Sequence, residues 1–552
     1  MKKLIALLLA LVMVFALVAC GGSETTAKTE DKKTETTEKK EDKKDSGTPA
    51  DPNAKTKVTV GLANSFNIVE PFQIGLYYNY VTLQVYLRLG QRDNFNEQEL
   101  VNILMKEYEQ VDNKTYKVTL LEGIVDHAGN PITAADVAFC YNHCLENAKA
   151  CHSVLESVEQ TGDYTLTFKL KTGGLGDWIN VCESVGIVSQ KAYEASPDGM
   201  TTQGVVGTGP YKLVEFTAGS RIILEKDENF WANNVAHEES PVFEQNIDVI
   251  EFNFVTEPVQ MQAALETDAV QFGLWVNETI VEDVKAIDGL KVESLPSPQI
   301  CSVLFNQSAD SPCQDENLRK AIATCINSEM VVENVLYGVG EPAKYFGKEG
   351  TQGNNPDWAK QYDNYPYDVE KAKAYLKASS YAGEDLTIMI MGNTTFRAAS
   401  QVVQANMQAI GINCHITEYD MSTWNKYLVA NSGYYYDVSL QNYSIGGPYL
   451  IQTVAKWLDG ARYDDGCNVM GLKDPELQAI IDELKTEDWT QEGYDALQKY
   501  IQETCCIYAH YNNKFTYACN ESIGVTDEDR GAINGEIIFG ALDYPADWDY
   551  YA

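Results

Sequence analysis

Histidine is scarce in this chain, six in 552 residues, and the motifs that most often carry chemistry are missing. There is no H-E-x-x-H, no G-x-S-x-G, no Walker loop and no EF-hand loop. Zinc hydrolysis, serine nucleophilic catalysis, phosphate cradling and calcium binding therefore have no sequence basis. Positive charge is also short: 42 Lys and Arg stand against 80 Asp and Glu, a formal net charge of −38. So acidic a body argues against nucleic acid or an anionic membrane surface as partner, because counterion release needs basic residues. The many acids do not by themselves indicate an enzyme. A solvated acidic surface offers carboxylate pairs at random, and none is singled out as a glycosidase dyad. Long apolar runs are lacking too: only Leu4 to Val18 is unbroken, and it is too short for a comfortable membrane span. These absences favour a binding protein, with no catalytic residue, metal or cofactor expected.

Cysteine is present, thirteen in all, but without a compact framework of spacings. Lys2 and Lys3 precede the apolar run, which ends in Leu17-Val18-Ala19-Cys20. This reads as a lipobox, with Cys20 lipidated and becoming the new amino terminus; an ordinary signal peptide is the alternative, and Gly21-Gly22-Ser23 favours the lipoprotein. From Ser23 to about Lys55 the chain is Thr, Glu, Lys and Asp with almost no large apolar residue, a flexible tether. Cys140, Cys144 and Cys151 lie near His143 and His152, but in no recognised zinc spacing. Cys140 and Cys144 instead share a helix face with Val137, Tyr141, Leu145 and Ala148, where a free thiol acts as a small hydrophobe. The adjacent Cys505 and Cys506 are expected as free thiols rather than a strained vicinal disulfide, which would suit an anaerobic source.

The stretch that organises the remainder is Gly204 to Trp231, GVVGTGPYKLVEFTAGSRIILEKDENFW. Two strand-like runs, Tyr211 to Phe216 and Arg221 to Glu225, flank the turn Thr217-Ala218-Gly219-Ser220. Gly207 and Gly209 set the entry by permitting positive φ, and Pro210 opens a strand where no donor is required. As a dinucleotide fingerprint the segment fails: Lys212 stands where glycine is needed, and a strand rather than a helix follows. The stretch resembles the G-T-G-P-Y-K…L-x-(K/R)-x-x-x-(Y/F)-W pattern of the family 5 extracellular solute-binding proteins. These serve ATP-driven importers of peptides, nickel and related solutes.

Further blocks stand in the family's order. Thr133-Ala134-Ala135-Asp136-Val137-Ala138-Phe139 resembles its (T/S)-A-x-D-V-x-F helix, with Thr133 and Asp136 as a capping box. Ala264 to Leu274 resembles A-L-x-x-G-x-x-D, although Asp268 and Gln271 replace the glycine and the aspartate. Cys301 to Asn306 resembles the strand opening the second lobe, and Asn317 to Glu329 the V-R-x-A-(I/L)…A-I-D-R helix pair, with Ser328 as a cap. Tyr367 to Leu376 resembles Y-(D/N)-P-E-K-A-K-x-L-L with Asp368 as N-cap, and Ile410-Gly411-Ile412 feeds a strand at Asn413 to Glu418. Two helices near Pro475 to Leu484 and Gln491 to Glu503 precede a strand pair around Ile507 to Ala518.

The resemblance implies an α/β, two-lobed periplasmic-binding-protein-like fold of class II with an extra domain, its ligand cleft between the lobes. Residues 1–20 form the lipoprotein signal and 21–55 the tether. Lobe I takes 56–92, 204–298 and 505–552, the extra domain 93–203, and lobe II 299–504. The implied work is capture of a solute, first of all an oligopeptide, and delivery to the permease subunits of the importer, without chemistry. The protein is expected as a monomer, held by lipid alone on the outer face of a Gram-positive-type cell membrane. The same fold binding a non-peptide polar solute, or acting as a receptor or chaperone, remains open; a secreted hydrolase would need a constellation that is absent. Expected ligand contacts are Phe66, Tyr77, Trp275, Asn277, Phe305, Asn306, Tyr345, Trp424, Asn442, Tyr443 and Ser444, foremost the pairs at Phe305-Asn306 and Asn442 to Ser444. Peptide-binding relatives hold the ligand's ammonium with an aspartate in the stretch matching Gln441 to Pro448, where this chain has no acid. Those selecting dipeptides add an arginine where this chain reads Met389 to Asn393, with Arg397 too far along. The resemblance thus points to a longer or modified peptide gripped through its backbone, or to an uncharged polar solute.

Overall fold

The computed structural model describes residues 55–73, 79–92, 100–171, 173, 175–347, 353–428, 433, 435–444, 457–462, 468–486, 490–526, 537–545 and 548. The leader with Cys20, the tether up to residue 54, Tyr77 and residues 445–448 lie outside these, as do the side chains of Tyr443 and Ser444. No helix among the described residues is long and apolar enough to cross a membrane.

One eleven-stranded sheet runs through the body. Across it lie Cys414–Tyr419, Leu386–Met391, Val438–Ser444, Leu290–Phe305, Ile507–Asn520, Phe272–Leu274, Lys57–Leu62, Val249–Phe254, Arg221–Lys226 and Tyr211–Thr217, with Gly340–Pro342 beside the 507–520 strand. Two parallel trios can be separated within it. Lys57–Leu62 pairs in parallel with Val249–Phe254 and Phe272–Leu274, and Leu386–Met391 pairs in parallel with Cys414–Tyr419 and Val438–Ser444. Their centres, VTVGL and TIMIM, are near-continuous apolar runs, as strands covered on both faces require.

Two long antiparallel strands, Leu290–Phe305 and Ile507–Asn520, join the trios. This differs from the expected short strand at Cys301 and the expected strand pair after Ile507. Pro296 and Pro298 lie inside the first strand, and Asn512, Asn513 and Lys514 run through the second without a turn. The ladder absorbs them: Pro296 sits opposite Lys514 and Ile300 opposite Asn512, so the 290–305 strand bulges where its prolines cannot donate.

The registers also fix direction. Phe272 pairs with Cys519 and Leu274 with Tyr517, so that strand runs toward Lys514. Val438 pairs with Phe305 and Ser444 with Gln299, so the other trio runs toward the same bulge from the opposite side. The carboxyl ends of both parallel trios therefore face one waist. Around it, Cys301, Val303 and Phe305 pack into one apolar cluster, and Ile300 and Leu304 into another on the opposite face.

A separate four-stranded antiparallel sheet, ordered Met105–Asp112, Thr115–Leu120, Thr165–Leu170 and Leu155–Gln160, carries the helix Ala134–Glu146. Asp136 accepts from both the backbone N–H (2.9 Å) and the hydroxyl (2.8 Å) of Thr133, so the acid is the cap's acceptor and the threonine hydroxyl its donor. Trp178 stacks on Tyr116 at 4.4 Å beneath this sheet. The eleven described cysteines are all free and buried. Burial pushes the thiols of Cys140 and Cys151 up to about 12, which leaves them inert as nucleophiles or ligands at neutral pH.

The GTGPY segment is a junction. Gly207 and Gly209 do not have positive φ, contrary to the expectation. They are needed for closeness: a Cβ on Gly207 would lie 1.9 Å from the Val85 carbonyl oxygen, and one on Gly209 2.4 Å from that of Gln84. Gly209 N–H donates to Val85 O at 2.9 Å, and Trp231 Nε1 donates to Thr208 O at 2.8 Å. His127 accepts from Gly207 N–H at Nδ1 and faces Gly209 O with Nε2, which fixes the Nε2–H tautomer. In the second half, Asp368 caps its helix through Glu370 and Lys371 N–H as expected. Ser328 does not cap; Asn327 does, leaving the Ser328 hydroxyl to meet Tyr508 and His510.

Candidate ligand-binding site

Where the carboxyl ends of the two trios meet, the loops that follow them enclose a cavity of about 320 Å³. Ligands bind beyond the carboxyl ends of parallel strands because the chain turns there from strand to loop and leaves polar groups to spare. One wall is Ala63, Asn64, Val255, Thr256 and the 275–278 loop; the other is Leu336, Val339, Asn393 to Thr395 and Asn442. Asn513, Lys514 and Thr516 of the long strand form the floor. Among the described residues, five asparagines and four threonines line it, an amide- and hydroxyl-rich surface suited to backbone-like donors and acceptors. A second cavity of about 650 Å³ shares Asn513 and Lys514 and extends past Glu341, Lys344 and Tyr345.

Trp275 is held in an uncommon state, with φ of 56°. Its Nε1 donates to Tyr80 OH at 3.1 Å and its ring lies 4.6 Å from that of Phe515. A bulky residue at positive φ costs about 1–3 kcal/mol and persists only where its surroundings over-determine it. Two residues on, Asn277 caps the turn Glu278–Ile280 by accepting from Thr279 N–H at 3.0 Å. That turn presents Glu278 to the cavity, and Glu278 accepts the Thr395 hydroxyl at 2.7 Å, a hydrogen bond that crosses from one wall to the other.

Of the eleven expected contacts, Trp275, Asn277 and Asn442 line the first cavity, and Tyr345 the second. Phe66 packs edge-on against Phe254 in the apolar core. Phe305 is fully buried at the end of its strand, and Asn306 spends its amide on Tyr436 O at 2.9 Å. Trp424 is in the core beside Leu428 and Tyr436. These last four are buried and line neither cavity. Tyr77 and the side chains of Tyr443 and Ser444 are not described. Arg397 pairs outward with Glu418 at 2.5 Å, in keeping with its being set aside.

The sequence reading missed Asn64, Glu278, Asn393, Thr395, Asn513 and Lys514. Asn393 could have been found, since it caps a helix directly after a parallel strand by accepting from Phe396 N–H at 2.7 Å. Glu278 has no such signal. Among the described residues no three His, Cys, Asp or Glu are grouped to hold a metal.

Residues 99–463 match the family model described as "Bacterial extracellular solute-binding proteins, family 5 Middle". The chain is 24% identical over 338 residues to the glutathione-binding protein GsiB of Pectobacterium atrosepticum, covering 59% of this chain and 62% of that one. To a dipeptide-binding protein of Escherichia coli it is 23% identical over 418 residues, covering 69% and 74%. The solved oligopeptide-binding protein AppA from Bacillus subtilis, in complex with a nonapeptide, superposes with a TM-score of 0.72 at 18% identity, over 89% of this chain and 100% of that one. With the model matched over most of the body and the two-lobed fold shared, the chain belongs to the family 5 bacterial extracellular solute-binding proteins.

Proposed function

We propose that this protein captures a peptide between its lobes, outside the cell, and hands it to the permease subunits of an ATP-driven importer, with no chemical conversion. The observation that carries the reading is the amide- and hydroxyl-rich cavity at the waist, built from both halves. Such groups satisfy a peptide backbone one amide at a time, and a buried amide left unmet costs about 1–3 kcal/mol. The names of the relatives, which bind glutathione, dipeptides and oligopeptides, support the same class. An uncharged polar solute is the second reading, favoured by the same asparagines and threonines.

The proposed division assigns residues 56–92, 204–298 and 505–552 to lobe I, 299–504 to lobe II and 93–203 to the extra domain. Its support is the pair of parallel trios on either side of the long strands. The protein works as a monomer, tethered through lipid on Cys20 to the outer face of the membrane. Denaturing the purified protein and identifying what it releases by mass spectrometry tests the ligand class. Release of peptides, and a more compact scattering profile when they are returned, is the expected result. A released solute of another class, or a peptide returned cleaved, would overturn it. Cys20→Ala should free the protein from membranes, and a variant that stays bound would end the lipid-anchor reading.

A further inference from the structure

Among the described residues, the first cavity has two charged residues in its lining, Glu278 and Lys514, and neither stands in a stretch that the family patterns mark. Glu278 comes from the loop after the Phe272–Leu274 strand, on one wall. Lys514 comes from the floor and has no ion-pair partner among the described residues. The rest of the described lining is neutral, so among the described residues these two set the sign of charge at its two sides. The stretch from Gln441 to Ser444 brings no acid, as its sequence dictates; of its described side chains, Asn442 lines the cavity.

The geometry points to Glu278 and Lys514 as the residues that decide which ligand ends this crevice accepts: Glu278 takes the ligand's ammonium and Lys514 its carboxylate. The inference rests on the peptide reading above and reverses the expectation of a blocked or uncharged ligand. Three features favour it. An enclosed cation is accepted only beside a compensating acid, and Glu278 is the acid available in this lining. The Thr395 hydroxyl donates to Glu278 across the crevice, which fixes the carboxylate and still leaves it lone pairs for an ammonium. Thr394 and Thr395 line the cavity at the start of a sixteen-residue helix, where the Asn393 cap takes the Phe396 N–H and the N–H groups of Thr394 and Thr395 are left as donors near the ligand's amide carbonyls. Because the Thr395 contact exists only when the walls are together, the ammonium site is completed by closure. In contrast to the family pattern that Gln441 to Pro448 lacks, the acid is supplied from the facing wall.

The test uses the mature protein and two defined libraries of di- to pentapeptides, one with free amino termini and one amino-acetylated, read by thermal shift. Calorimetry then follows on the peptide giving the largest shift and on its acetylated and carboxyl-amidated forms. Wild type should respond to the free library, and either blocked form should bind roughly ten- to a hundredfold more weakly. Glu278→Gln keeps the shape and a partner for Thr395, so it should melt like wild type without ligand while losing its preference for the free amine. Lys514→Met should lose the preference for the free carboxylate instead. Equal response to both libraries, or a preference that survives Glu278→Gln, overturns the inference and leaves the peptide reading standing. No response to either library overturns both. Should a variant fail to fold, the wild-type comparison of free, acetylated and amidated ligand still decides.

Discussion

Acid should weaken this fold through one histidine. His510 is fully buried in the Ile507–Asn520 strand, with Nδ1 2.7 Å from the Ser328 hydroxyl and its ring among those of Tyr508 and Tyr511. Burial lowers it from 6.5 to about 3, so the folded protein holds it neutral. The sign follows directly. Between pH 6.5 and 3 the unfolded chain binds a proton there that the folded chain refuses, so stability falls as pH falls through that window. Each unit is worth about 1.4 kcal/mol, and going from pH 7 to 5 should remove about 2 kcal/mol through this residue. His127 and His143 are also lowered by burial and add to the slope with the same sign. The difference between wild type and His510→Asn isolates the term, because asparagine can occupy the Nδ1 position without titrating there. Urea unfolding followed by tryptophan fluorescence, at pH 7, 6 and 5, should give a shallower loss for the variant by about 2 kcal/mol overall. Parallel losses in the two proteins would refute the argument, whatever the variant's stability at pH 7.

Two further perturbations separate closeness from backbone conformation and burial from reactivity. Gly207→Ala should cost ~2–3 kcal/mol by driving a Cβ into the Val85 carbonyl, whereas Gly219→Ala, at φ 69° with open space around it, should cost only about 1 kcal/mol; equal melting temperatures for the two would contradict this. Native protein should resist iodoacetamide at the eleven described cysteines and take it up at all of them in denaturant, and rapid native labelling of any would show that its burial is transient.

Local signals were legible where the reason for a residue is local. The 211–226 hairpin, the helix begun by Asp368 and the apolar face carrying Cys140 and Cys144 follow from alternation, capping and periodicity within a few residues. Gly207 was noticed for the wrong reason, because its neighbour Val85 is more than a hundred residues away along the chain and no local rule reports it. The long strands escaped for a similar cause. Pro296 cannot donate to a plain ladder, and only the register shift between Pro296 opposite Lys514 and Ile300 opposite Asn512 makes it admissible there. At the site, large aromatic residues drew attention, yet Phe305 and Trp424 are large because they fill the core. The cavity itself is lined by short amides and hydroxyls, which look like ordinary loop residues until topology brings six separate segments to one place.

Under the proposed hinge closure, that topology divides the lining into two walls and a floor between them. The strands Leu290–Phe305 and Ile507–Asn520 lie between the two trios, so in the proposed closure a side chain at their waist shifts less than either wall. Lys514 and Thr516 are on this floor, while Glu278 and Thr395 sit on opposite walls and meet through one hydrogen bond of 2.7 Å. In a hinge closure of the kind proposed, a ligand first meets Lys514 in full, and Glu278 gains its cross-wall support only on closing. Loss of the floor contact should then slow capture, and loss of the wall contact should speed release. A hinge whose two walls each carried a complete site would have no such order, since either could hold the ligand without the other.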